Sequence, residues 1–163
     1  MSEPRVDRPH VPGYGISKST KGVLPWSWVV ERLEKAEIYW LATADAAGAP
    51  HLNPIWGAWV DGRWYVEGGP TRWKRNLRAN PQMAIHVEST GEVVIVEGKA
   101  AEVVALTSEK ADRILAGYAK YKPGYAADPA NWAQGGLWEL RPIKAFAWTT
   151  FPTDMTRYTF VEG

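Results

Sequence analysis

Three short polar breaks constrain this chain more than any other feature: Asp45-Ala46-Ala47-Gly48, Asp61-Gly62 and Ser89-Thr90-Gly91. Each separates runs dense in β-branched and aromatic residues. Asp-Gly between two such runs favours a two-residue turn, because both central residues must take positive φ to match the twist of the strands. Connections this short join antiparallel neighbours and leave no room for a crossover helix. The runs so divided are 38–44, 51–60, 63–67, 82–88 and 92–104, and two more follow at 137–151 and 156–161. Gly98 predicts a bulge where its strand bends, and Pro142 an edge or bulge.

Between these runs, Pro25 opens a helix over 26–36 with Trp26, Val29, Val30 and Leu33 on one face. A second helix is predicted over 71–79 and a third over 107–121. Residues 122–136 read as loop. Residues 1–24 form a Pro-, Gly-, Lys- and Ser-rich arm that packs on a neighbour or frays. Residues 25–163 then make one domain, mainly β, with six or seven antiparallel strands and a few flanking helices. The glycine and proline kinks favour a closed, strongly curved barrel.

Composition removes several function classes. With 19 basic and 18 acidic residues among 163, the chain has no charge excess to favour nucleic acid or a membrane surface. No apolar run reaches the ~18 residues of a membrane span, and the first residues lack a secretory apolar core, so a cytoplasmic place is expected. Cysteine is absent, which excludes disulfides and thiol chemistry. The three histidines (His10, His51 and His86) have no ligand spacing, so no metal is expected. His86 reads as a structural, satisfied histidine, and no nucleophile–base pair stands out, so no catalytic side chain is assigned. The ten tryptophans fill a core or subunit interface, with two or three left over to line a pocket for a flat ring.

The stretch 68–81, Gly-Gly-Pro-Thr-Arg-Trp-Lys-Arg-Asn-Leu-Arg-Ala-Asn-Pro, contains an electrostatic conflict. Thr71 is placed as helix N-cap. Arg72, Lys74 and Arg75 then fall at the helix end that is already positive. A bound phosphate resolves the conflict, held by the Thr71 hydroxyl, the free N–H groups and one of the cations. The P-loop and dinucleotide fingerprints are both absent. A phosphate site, many aromatics and no acid–base machinery suit a redox cofactor that carries the chemistry itself.

The chain resembles the pyridoxamine 5′-phosphate oxidase-like split β-barrel family of flavin and deazaflavin proteins. The likeness lies in Tyr39-Trp40-Leu41-Ala42-Thr43, in 48–56 (Gly-Ala-Pro-His-Leu-Asn-Pro-Ile-Trp), in Asp61-Gly62-Arg63-Trp64-Tyr65-Val66, in Thr71-Arg72 with 75–81, and in Val96-Glu97-Gly98-Lys99-Ala100. The ending, Phe146-Ala147-Trp148 with 156–160, is similar to members that use coenzyme F420. The resemblance implies a homodimer with cofactor grooves between subunits. It implies an oxidoreductase that transfers hydride between the bound cofactor, F420 ahead of FMN, and a small organic substrate. Asn53, Pro54, Ile55 and Trp56 would lie along the ring, and Val66, Glu67 and Gly68 beside the ribityl chain. Thr71 and Arg72 would hold the phosphate, and the partner's Trp138 would cover the ring. Many members have a lysine where this chain has Trp73, so the phosphate cation becomes Arg72, Lys74 or Arg75. The arginine-rich C-terminal signature of true pyridoxamine phosphate oxidases is absent. A non-catalytic flavin or haem carrier, or an FMN-dependent oxidase-like enzyme, is the alternative.

Overall fold

The computed structural model describes residues 3–161. Met1 and Ser2 of the expected arm, and Glu162 and Gly163 at the end of the expected domain, lie outside the described residues. Nine strands and three α-helices follow in chain order. They are β1 (Arg5–Asp7), α1 (Trp26–Lys35), β2 (Tyr39–Ala44), β3 (Pro50–Ile55), β4 (Ala58–Val60) and β5 (Arg63–Glu67). After these come α2 (Arg72–Ala79), β6 (Gln82–Ser89), β7 (Glu92–Glu102), α3 (Ser108–Tyr118), β8 (Leu137–Trp148) and β9 (Thr156–Thr159).

The hairpins form as the turns require. Asp61 and Gly62 take φ of 51° and 75°, and Thr90 and Gly91 take 51° and 85°, so both connections are two-residue turns with positive φ throughout. All pairings are antiparallel, in the order β1-β9-β8-β7-β6-β2-β3, with β5 joined to β8 and β4 to β5. Strand β8 splits its free edge: Leu137–Leu140 pair with β5, and Lys144–Ala147 pair with β9. The register slips between Glu97 and Gly98, where a Cβ on Gly98 would collide with the Arg141 carbonyl.

The structure corrects three expectations. The sheet is not closed: among the described residues β3 pairs only with β2, and no ladder links it to β4 or β5. The barrel is therefore split. The expected strand 51–60 breaks at Trp56-Gly57, because Gly57 lies so close to the Trp64 indole that a side chain there would overlap it. The N-terminal arm, expected to pack on a neighbour or fray, joins its own chain's sheet: Arg5–Asp7 pair with Arg157–Thr159 of β9, and Arg157 grips the Asp7 carboxylate at 2.7 and 3.0 Å.

Two apolar cores hold the fold. The barrel interior takes Trp59, Trp64, Trp73 and Trp138 with aliphatics of β2, β6 and β7. The opposite face of β4–β5 (Ala58, Val60 and Tyr65) packs against Ile114 and Tyr118 of α3, and Trp132 and Leu137 complete this second core. That packing fixes the segment 119–136, which carries two 3₁₀ turns (Ala119–Tyr121 and Pro129–Gln134), beside the open seam of the barrel. No helix among the described residues is long and apolar enough to cross a membrane.

Candidate functional site

The seam between β3 and β5 opens into a groove of about 510 Å³. Pro54, Ile55 and Trp56 form one side, Glu67 and Gly68 the other, and Tyr118 and Tyr125 the far wall. Five residues assigned from the sequence thus meet in one cavity: Pro54, Ile55, Trp56, Glu67 and Gly68. Asn53 precedes them; its Nδ2 donates to the Pro54 carbonyl at 3.3 Å, while its Oδ1 is buried with no donor. Val66 is fully buried with its side chain in the barrel core and does not line the groove.

Glu67 is the charged group of the groove. Its carboxylate accepts hydrogen bonds from the Tyr125 hydroxyl and the Trp132 indole N–H. Its backbone N–H donates to the Tyr118 hydroxyl at 3.2 Å, which itself donates to the Tyr65 carbonyl at 3.2 Å. Burial holds both tyrosines in the neutral form, and the Glu67 carboxylate pushes Tyr125 further the same way. Trp56 stacks on Tyr121 (5.2 Å between centroids, 21° between planes) and meets Tyr125 at 5.0 Å. The sequence reading missed this aromatic wall. Its signal was the spacing of Tyr118, Tyr121 and Tyr125, which recur at helical intervals into a segment taken for loop.

From Gly68 the chain runs through Gly69-Pro70 to the N-terminus of α2. Thr71 sits at the N-cap with extended backbone, but its hydroxyl does not cap the helix as expected. The Thr71 carbonyl accepts from Arg75 N–H at 3.3 Å, and its Oγ1 is buried without any hydrogen-bond partner. Arg72 and Arg75 are exposed, and neither forms an ion pair or side-chain hydrogen bond among the described residues.

The neighbouring residues turn inward. Trp73 is 3% exposed and meets Trp138 edge-on at 6.4 Å, in the place where a family lysine would stand. Lys74 is buried too. Its ammonium donates to the carbonyls of Gly68 and Gly135, the latter at 2.9 Å, and desolvation lowers its pKa, with the Arg78 charge adding to the effect. Asn76 donates to the Thr43 hydroxyl at 3.0 Å and ties α2 to β2. Trp138, expected over a partner's ring, packs in its own chain's core.

A second surface lies on the outer face of the sheet. Antiparallel register lines up Pro54, Trp40, His86, Ile95 and Phe146 across five strands. Trp40 and Leu52 are 42% and 60% exposed there, around a shallow apolar hollow of about 440 Å³. His86 is not the satisfied histidine expected: its Nε2 is buried and unpartnered, and 3.9 Å from Glu88.

Residues 28–148 match the family described as pyridoxamine 5′-phosphate oxidase. No curated protein matches the chain. Among solved structures, a conserved hypothetical protein from Mycobacterium tuberculosis is 20% identical, with a TM-score of 0.61 over 81% of this chain and 89% of that one. A FAD-binding protein from Mesorhizobium loti is 19% identical, with a TM-score of 0.60 over 84% and 96%. A heme binding protein from Mycobacterium smegmatis is also 19% identical, with a TM-score of 0.60 over 84% of this chain but 59% of that one. At these identities the likeness is one of fold.

Proposed function

The chain belongs to the pyridoxamine 5′-phosphate oxidase family, and on that premise we propose that it is a homodimeric oxidoreductase holding a flavin-type cofactor, coenzyme F420 ahead of FMN, along the groove between β3 and β5. The observation that carries this reading is at the start of α2. A buried Thr71 hydroxyl without a partner lies in sequence beside Arg72, and neither Arg72 nor Arg75 is engaged by another side chain among the described residues. Together with the free N–H groups of the first turn, these groups suit a phosphate.

The remaining residues fit the rest of such a ligand. Asn53 Oδ1 is a buried acceptor in need of a donor, which a ring N–H supplies. Pro54 and Ile55 give the ring an apolar side, and Trp56 borders the part of the groove left to the substrate. Gly68 leaves room for the chain between ring and phosphate, and Trp73 and Lys74 hold Gly68 in place from beneath. When bound, the cofactor supplies the hydride chemistry; the protein binds, orients and excludes water. No side chain is assigned as acid or base. A small organic substrate takes the rest of the groove, and a second copy of the chain covers the apolar sheet face around Trp40 and Leu52.

The test is titration of FMN and of F420 into wild type and Arg72→Ala. The variant is expected to bind about 1.5–3 kcal/mol more weakly, the scale of a hydrogen bond to a charged group; an unchanged Kd overturns the phosphate assignment. A haem carrier is the second reading, favoured by the unpartnered His86 Nε2 beside the apolar hollow. It requires a Soret band on haem addition that His86→Ala abolishes.

A further inference from the structure

The end of the groove walled by Tyr118 and Tyr125 has a carboxylate set among aromatic rings: Glu67 accepts from the Tyr125 hydroxyl and the Trp132 indole N–H. Trp56 remains 42% exposed at this end, although one of its faces stacks on Tyr121. Tyr125 is tilted against it, and both rings border the cavity. Aromatic faces carry negative potential and attract cations, most strongly where water is partly excluded.

Glu67 adds a full charge to that setting. Its two side-chain donors, Tyr125 and Trp132, are neutral, so they hold the carboxylate in place without cancelling its charge. Among the described residues no Lys, Arg or His forms an ion pair with Glu67. Lys74 acts on it only through space, because its ammonium is committed to the Gly68 and Gly135 carbonyls. An anion here would be repelled. A neutral apolar group would fill the rings yet leave the carboxylate without a counter-charge. A cation of modest size satisfies both.

We infer that the groove end formed by Trp56, Tyr125 and Glu67 is a subsite for an organic cation, a protonated or quaternary amine. This deepens the proposed function by giving its substrate a chemical class, and it rests on that reading only for the word substrate.

The test uses choline and its uncharged isostere 3,3-dimethylbutan-1-ol, titrated into the full chain and followed by tryptophan fluorescence. Choline is expected to saturate and to bind at least about ten-fold more tightly than the alcohol. Glu67→Gln is expected to abolish that preference while the alcohol binds as before. Trp56→Leu, at the exposed rim, is expected to weaken choline binding; if Glu67→Gln does not fold, as judged by circular dichroism, this variant decides. No saturation by choline, equal affinity for the two probes, or unchanged choline affinity in Trp56→Leu overturns the subsite. FMN and F420 are titrated into the same samples. Normal cofactor binding without choline binding removes only the cation subsite; choline binding without cofactor binding keeps the subsite and removes the oxidoreductase reading.

Discussion

Helix α2 has an outer face of Arg72, Arg75 and Arg78 and an inner face of Trp73, Lys74, Asn76 and Leu77. Lys74 and its basic neighbours carry the same sign of charge and lie within one turn, yet they do different work. Lys74 is desolvated and bonded to two carbonyls from separate loops, so it acts as a bracket between Gly68 and Gly135. Arg72 and Arg75 reach solvent at the positive end of the helix, where their charge costs stability unless an anion arrives. One step along the helix therefore separates a cation bonded within the fold from cations that, among the described residues, no side chain engages. Trp73 shows the same division from the apolar side: it fills the core and meets Trp138 edge-on.

The strongest way to break this comparison is through the core. Trp73→Ala is expected to cost about 3–5 kcal/mol in urea denaturation, since it removes a large buried ring and leaves a cavity beside Trp138. Arg72→Ala in the same assay is expected to stay within about 0.5 kcal/mol of wild type, as an exposed position does. Similar losses in the two variants would mean that the two faces of α2 are not distinct in energy.

A finer test compares the two cations. Lys74→Ala leaves two backbone carbonyls without their donor, and an unmade buried hydrogen bond costs about 1–3 kcal/mol of stability. Arg72→Ala should do the reverse, sparing stability and weakening FMN or F420 binding. The crossed result, with Lys74→Ala harmless to folding and Arg72→Ala harmless to binding, would exchange the assigned roles.

How much of this was legible in the sequence depends on the range of the interactions. The hairpins at Asp61-Gly62 and Thr90-Gly91 were readable because the turn chemistry is local. Gly98 was readable because a lone glycine in a long strand signals a bulge. The break at Gly57 was not, since its cause is the Trp64 indole packed on it from the next strand. Nor was the fate of Lys74: its carbonyl partner Gly135 is 61 residues away. Thr71 was read correctly as the N-cap position, but that its hydroxyl makes no cap hydrogen bond was not legible from residue type alone. Residues 54–56 and 67–68, which line one groove, were grouped through the family likeness. Tyr125 and Trp132, which hold Glu67, come from a segment whose ordering depends on the second core beneath α3.

The smallest expected effect concerns a second desolvated cation, the half-buried Lys120, which tests whether desolvation alone marks a structural lysine. Its ammonium donates to the Glu34 carbonyl at 3.1 Å and to the Tyr39 hydroxyl at 3.0 Å, and lies 5.2 Å from the Tyr121 ring centroid. Burial lowers its pKa to about 8, although the charges of Glu37 and Glu34 act in the opposite direction. Tyr121 is itself pushed up to about 12 and stays neutral in the same range. In the unfolded chain a lysine titrates near ~10.4. Between these values the unfolded state binds more protons than the folded one, so stability rises as pH goes from about 8 to about 10.4. Because the side chain is partly solvated, the gain is about 1 kcal/mol rather than the full conversion of the shift. Urea midpoints measured across this range for wild type and Lys120→Met should diverge, with wild type gaining relative to the variant as pH rises. Parallel curves would show that the ammonium titrates as if in water, and that bonds to carbonyls and hydroxyls, rather than burial, are what set Lys74 and Lys120 apart from Arg72.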